Sequence, residues 1–358
     1  MSYDPRTKKL AKLVVDYSLA VKHDENVVIS GSTEASEFIA ELYRVVILKG
    51  AHPILRVSLP ELLPFFYKYA KEHQIKKFPE TYDYTVKKSQ KFIGIHTEAN
   101  TRELSDADPR KMTTRQIVMR PISHYINNRR EKIWRCTVGF PCIAMAQEAE
   151  MSLADYERFV FAACLQDWKK VGKFIDKILT KFRKGTNLHL VGGGVDLKFQ
   201  INNEKAQADK GEKNMPGGEV YMAPVRTSME GKIKFDYPAI EDGKEVSDIY
   251  LEFKKGKVVK FDASKNKNFL KEMLSTDKNA SYVGEFGIGC NPKINRFTKN
   301  LLFDEKINGT IHLALGNAYK DNGGGNDSAI HWDIVKDMKH GKIILDGKVI
   351  QEKGKWKI

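Results

Sequence analysis

Val27-Val28-Ile29-Ser30-Gly31-Ser32-Thr33-Glu34 opens a pattern that closes at Gly50-Ala51-His52-Pro53-Ile54-Leu55-Arg56-Val57. Val27–Ser30 reads as a short buried strand, Glu34–Lys49 as a helix closed by Gly50, and Pro53–Val57 as a second strand. Strand, helix and strand on short links make a β-α-β unit, which favours a parallel sheet. Gly31-Ser32-Thr33 lies at the first turn, where a helix N-terminus could seat a phosphate. It has neither G-x-G-x-x-G nor G-K-S/T spacing, so an ordinary turn with a side-chain cap is the simpler reading.

Upstream, Leu10, Leu13, Val14 and Tyr17 share helical spacing and predict an amphipathic helix from about Pro5 to Val21. Downstream, Phe92–His96 and Trp134–Val138 are strand candidates. The polar, basic stretch Asp106–Arg130 between them reads as a helix and surface connection. Pro141–Glu150, Leu153–Leu165 and Trp168–Arg183 read as helices, the last ending in Lys184-Gly185. Beyond Gly185 the texture changes. Leu188–Val191, Val195–Phe199, Glu219–Tyr221, Lys232–Phe235, Ile249–Lys254, Val258–Phe261, Thr310–Leu315 and Lys342–Leu345 read as strands between turns, with one helix near Asn268–Leu274. The fold class expected is α/β. An N-terminal α/β domain with a mostly parallel sheet spans residues 1–184, and a β-rich α+β domain spans 185–358.

The chain has 358 residues and a formal net charge of +14. Its basic pairs, Lys8-Lys9, Lys76-Lys77, Lys169-Lys170 and Lys254-Lys255, are scattered and do not interleave with aromatics. A solvated surface is the simpler reading, and a nucleic-acid partner is not expected. A basic, metal-dependent nucleic-acid-binding or phosphodiester-hydrolysing protein is the alternative that this charge keeps in view. Cys136, Cys142, Cys164 and Cys290 form no C-x-x-C pair, which argues against a structural zinc knot and for a reducing interior. The N-terminus is charged at once (Asp4, Arg6, Lys8, Lys9) and has no signal-peptide core. No run of 18 apolar residues exists, so the expectation is a cytoplasmic protein without a membrane span.

Chemistry concentrates near the C-terminus. In Thr310–Leu315, alternation puts Ile311, Leu313 and Leu315 on one face and His312 on the other. In Ile330-His331-Trp332-Asp333 the imidazole and carboxylate are two apart, so an extended backbone aims both the same way. Taken singly, a strand histidine is commonly a hydrogen-bonded, half-buried residue. Asp321-Asn322-Gly323-Gly324-Gly325-Asn326-Asp327 joins the two strands; it lacks the spacing of a calcium loop and reads as a flexible turn. Upstream, Glu219 and Glu285 stand among glycines and apolar residues, where burial requires a cation. Glu305 is less distinctive and also reads as a surface residue. Glu219, Glu285, Glu305 and Asp333 together carry four negative charges, which two divalent ions would match, and with His312 and His331 they furnish two incomplete shells with room for water.

With these residues assembled, the chain resembles the metallo-aminopeptidases of the aminopeptidase T and aminopeptidase S type. The resemblance begins at Leu10-Ala11-Lys12-Leu13-Val14 and runs through Phe140-Pro141-Cys142-Ile143-Ala144. It is strongest in Pro216-Gly217-Gly218-Glu219-Val220-Tyr221, in Gly284-Glu285-Phe286-Gly287-Ile288-Gly289-Cys290-Asn291-Pro292 and from Leu302-Phe303-Asp304-Glu305 to Asp333. It implies metal ligands at Glu219, Glu285, Glu305, His312, His331 and Asp333. It implies further that Glu285 bridges two ions (zinc, cobalt or manganese) and that Tyr319 is the active-site tyrosine. It also implies hydrolysis of N-terminal residues from short peptides by a two-metal-activated water, in a homodimer. Met222 and Cys290 stand where threonine is common, and bear on substrate preference. Glu150 replaces a usual glycine, and the turn between His312 and His331 is shorter than in bacterial members.

Overall fold

In the computed structural model, which describes residues 4–128, 133–241 and 243–357, Val27, Val28 and Ile29 are all buried. A strand with no exposed face suits the interior of a parallel sheet. The strand Asn26–Ser32 pairs in parallel with His52–Ser58 on one side and Lys91–His96 on the other. The sheet continues in parallel to Trp134–Gly139 and to the short Asn214–Met215. The α/β class and the parallel sheet expected of the N-terminal half are therefore present.

The links follow local chemistry. The Ser32 hydroxyl accepts the Glu34 N–H at 3.4 Å at the start of a 3-10 turn, Thr33–Ala35, so the Gly31-Ser32-Thr33 turn is an ordinary capped one. The helix Ser36–Leu48 follows and buries Phe38, Ile39, Leu42 and Val46, an i, i+4, i+8 stripe with one neighbour. Gly50 takes φ +72° and turns the chain into the second strand. The first helix starts at Pro5 with Asp4 capping it, is α-helical to Leu13 and widens to a π-helix over Val14–Ser18. It stops short of Val21, where the Ser18 hydroxyl donates to the Gly211 carbonyl at 2.6 Å and Ala20 turns to φ +44°.

The polar stretch after Asp106 holds the helix Pro109–Asn128; residues 129 and 130 of the expected span lie outside the described residues. Leu62–Tyr69, Glu72–Ile75 and Glu80–Lys87 are short helices that periodicity did not single out, since they give at most two turns to read. Glu150 sits at φ +55°, the left-handed region that glycine adopts without strain.

The chain divides into two compact units, one formed up to Leu165 together with Gly211–Pro216, the other by Gln166–Lys210 and Gly217 onward. The helix Trp168–Lys184 belongs to the second, because its apolar stripe of Ile175, Ile178, Leu179 and Phe182 enters that unit's core. That unit holds an eight-stranded antiparallel sheet and a five-stranded antiparallel sheet. In the smaller sheet the order is His331–Asp337, Thr310–Gly316, Val283–Gly289, Glu219–Met222 and Gln207–Asp209. Phe286 seals its inner face, 5.1 Å from the Phe199 ring and 6.3 Å from Phe182. Among the described residues, no helix is long and apolar enough to cross a membrane.

Candidate metal centre

The five-stranded sheet is two-faced. Val220, Met222, Phe286, Ile288, Ile311, Leu313, Trp332 and Ile334 all enter the hydrophobic core. Alternation sends their neighbours to the opposite face. Pairing then sets Glu219 opposite Gly289, Gly287 opposite His312, and Ala314 between Glu285 and Asp333. One polar cluster results, built from strands far apart in sequence.

Its ligand atoms converge. Atoms of Glu219, Glu305 and His312 lie within 4.8 Å of one another, as do those of Glu285, His312 and Asp333. His331 joins through Asp333, with Nε2 3.4 Å from Oδ2. All six expected ligands are thus brought together, Glu305 included. Tyr319 stands at the rim, 37% exposed, its ring 4.8 Å from the His331 ring.

Both imidazoles are oriented by backbone. The Nδ1 of His312 bonds the Glu305 carbonyl at 3.1 Å, and that of His331 bonds the Asn317 carbonyl at 2.8 Å. With Nδ1–H donated, each ring turns the lone pair of Nε2 into the cluster, the arrangement of a metal-binding histidine. His312 is fully buried, yet its Nε2 stands 3.7 Å from Glu285, 3.8 Å from Glu219 and 4.0 Å from Asp333. Those distances are too long for hydrogen bonds. Neither His312 Nε2 nor Asp333 Oδ1 has a hydrogen-bond partner among the described residues. Buried polar atoms left this way are rare and call for an ion or water between them. Gly287 keeps the space open, since a Cβ there would stand 1.9 Å from His312 Nε2. The residues therefore fit divalent ions.

Spacing did not reveal two further members. Lys306 is fully buried and ion-paired to Glu305, with Nζ 3.5 Å from Glu219 Oε1. It is the cation that buried Glu219 required, and a Glu-Lys dipeptide resembles so many surface pairs that nothing marked it. Asn322 is also fully buried and donates to Glu285 Oε2 at 2.8 Å. The glycine-rich turn is accordingly pinned rather than loose: Asn326 also donates to the Gly316 carbonyl at 2.6 Å, while Asp321 and Asp327 face outward.

The electrostatics follow from burial at close quarters. Burial pushes the Glu219 carboxyl up to about 8 although Lys306 pulls it down. Glu305 is also disfavoured by burial, but Lys306 and His312 outweigh this and hold it below the usual range. Burial works against protonation of His312, yet Glu285, Asp333, Glu219 and Glu305 push it up to about 9. Met222 and Cys290 belong to the hydrophobic core, where burial and then the Glu219 charge push the Cys290 thiol up.

Comparison with known proteins points to a metalloprotease family. Residues 3–356 match the family described as thermophilic metalloprotease (M29). Aminopeptidase AmpS of Bacillus subtilis is 24% identical over 413 aligned residues, covering 99% of each chain. Aminopeptidase T of Thermus thermophilus is 30% identical over 201 residues, 47% of this chain and 48% of that one. The solved structure of AmpT from Thermus thermophilus superposes with a TM-score of 0.85 over 100% of both chains at 22% identity, which shows the same fold. A structure of 2,5-dihydroxypyridine dioxygenase from Pseudomonas putida KT2440 shares the fold more distantly, with a TM-score of 0.59 at 13% identity over 99% of this chain and 98% of that one. The match over nearly the whole length decides the matter: the chain belongs to the thermophilic metalloprotease (M29) family.

Proposed function

We propose that this protein is an aminopeptidase that removes N-terminal residues from short peptides with two divalent ions, zinc, cobalt or manganese. The observation that carries the reading is the fully buried His312 Nε2, unpartnered and ringed by three carboxylates. The aminopeptidase names of the full-length relatives support the exopeptidase part. Bound divalent ions polarise a scissile carbonyl and lower the pKa of water toward ~7.

The chain's own residues do the rest. Glu219, Glu305 and His312 hold one side of the centre, and Glu285, His312, His331 and Asp333 the other. Glu285, grouped with His312 and Asp333, would hold an ion there and take up a proton during attack. Tyr319, whose ring lies beside that of His331, would donate a hydrogen bond to the tetrahedral oxyanion. Tyr319→Phe is expected to lower kcat by on the order of 10²–10³ with KM little changed, as for other lost oxyanion donors. Steady-state kinetics on an aminoacyl-anilide checks this; an unchanged kcat removes Tyr319 from the reaction.

The deciding experiment strips the protein with a chelator, restores zinc, cobalt or manganese, and assays dipeptides and aminoacyl-anilides with metal content measured alongside. Metal-loaded protein that cleaves none of them refutes the reading. Proton release gives an independent check. With His312 pushed up to about 9 and Glu219 to about 8, an arriving ion displaces protons at pH 7. Ion affinity is therefore expected to rise from pH 6 toward 9. Titration calorimetry in buffers of different ionisation heat reads the protons, and a heat independent of buffer contradicts the assignment.

The proposal includes a homodimer in a reducing, cytoplasmic setting. All four cysteines are buried. Leu55 and Val57 on the edge strand His52–Ser58, with Leu59, Leu62, Leu63 and Phe65 beyond it, are exposed apolar residues of the kind that interfaces cover. Light scattering should give twice the 40.8 kDa chain mass. A monomer at micromolar concentration counts against the dimer.

A further inference from the structure

The two sides of the centre differ in one respect. Lys306 places an ammonium on Glu219 and Glu305, whereas the Glu285, His312 and Asp333 side is met by the neutral amide of Asn322. Lys306 cannot swing away easily. Its side chain is 0% exposed, and its carbonyl accepts the Asn291 N–H at 3.1 Å. Asn291 is itself fully buried and donates to the Gly217 carbonyl at 2.9 Å, two residues before Glu219.

We propose that Lys306 makes the two ion positions unequal: one divalent ion binds tightly at Glu285, His312 and Asp333, and the ammonium on Glu219 and Glu305 weakens the second. This rests on the metal-dependent reading above. The argument is electrostatic. An ion entering between Glu219, Glu305 and His312 meets a fixed positive charge already bonded to two of its three ligands. In a buried site that repulsion is little screened. The chain thus carries part of the second cation as a side chain, and loading is ordered, the Asp333 side first.

The test is calorimetric titration of chelator-stripped protein with Co²⁺, with the visible cobalt bands recorded in parallel. The first ion is expected to bind at least about tenfold more tightly than the second, about 1.4 kcal/mol. Lys306→Met should tighten the second event and close the gap, while Lys306→Arg should keep it. Glu219→Gln should remove the weak event and spare the tight one; Asp333→Asn should remove the tight one. Two ions of equal affinity in the unmodified protein, a gap unchanged in Lys306→Met, or loss of the tight event in Glu219→Gln overturns the inference and leaves the metalloenzyme reading standing. Absence of any Co²⁺ binding overturns that reading, and the inference with it. If circular dichroism shows that Lys306→Met does not fold, the Glu219→Gln and Asp333→Asn titrations decide alone.

Discussion

Gly287→Ala is expected to abolish ion binding and lower hydrolysis by at least ~100-fold, beyond what loss of one outer hydrogen bond does. The added Cβ would stand 1.9 Å from His312 Nε2 and 2.2 Å from Cε1. The ring has nowhere to go. It is fully buried, its Nδ1 is held by the Glu305 carbonyl, and its backbone is paired to Gly287 itself. Backing away means breaking the central pairing of the sheet. Turning the ring means giving up the Nδ1 bond and aiming Nε2 elsewhere. Either way the methyl occupies the space that the lone pair faces. Gly287 lies on a regular strand, so the backbone itself accepts alanine, and the harm should stay local. Co²⁺ calorimetry separates this from misfolding when run with circular dichroism. A folded Gly287→Ala protein that binds cobalt normally would show that His312 is not a ligand.

The same residue shows what could be read from sequence and what could not. The β-α-β unit was readable because each element carries its own signal: three consecutive buried aliphatics, an apolar helical stripe and a closing glycine. His312, His331 and Asp333 were readable as a pair of strands, since period-2 alternation fixes which way each side chain points. The strand Val283–Gly289 was harder. Glycines at 284, 287 and 289 weaken its strand propensity, yet 287 and 289 are glycine because the His312 ring and the Ile307 carbonyl come too close for a Cβ. The signal that hides the strand is the one that makes room for the site. Lys306 and Asn322 were missed for another reason. Their roles come from burial created by long-range pairing, and no local spacing marks a lysine or an asparagine that tertiary contacts will enclose. The helix Trp168–Lys184 illustrates the reverse case, as its periodicity was plain but not the unit its apolar face would join.

Glu285→Gln is expected to cost several kcal/mol of transition-state stabilisation, on the order of 10³ in kcat/KM. Glutamine keeps the shape and can still accept from Asn322, so the fold and the hydrogen bond survive while the charge does not. Asn322→Ala does the opposite. It leaves the carboxylate but removes the donor that orients it, and outer-shell losses of this kind cost about 10–100-fold in ion affinity. The two changes should not add. If Asn322 acts through the Glu285 carboxylate, Asn322→Ala placed on Glu285→Gln has little left to disturb, and the double variant should match Glu285→Gln. Additive losses would mean that Asn322 serves the turn rather than the ligand. That outcome is distinguishable, because a loosened turn lowers thermal stability in both backgrounds, whereas a misaimed carboxylate lowers cobalt affinity only where the carboxylate is present.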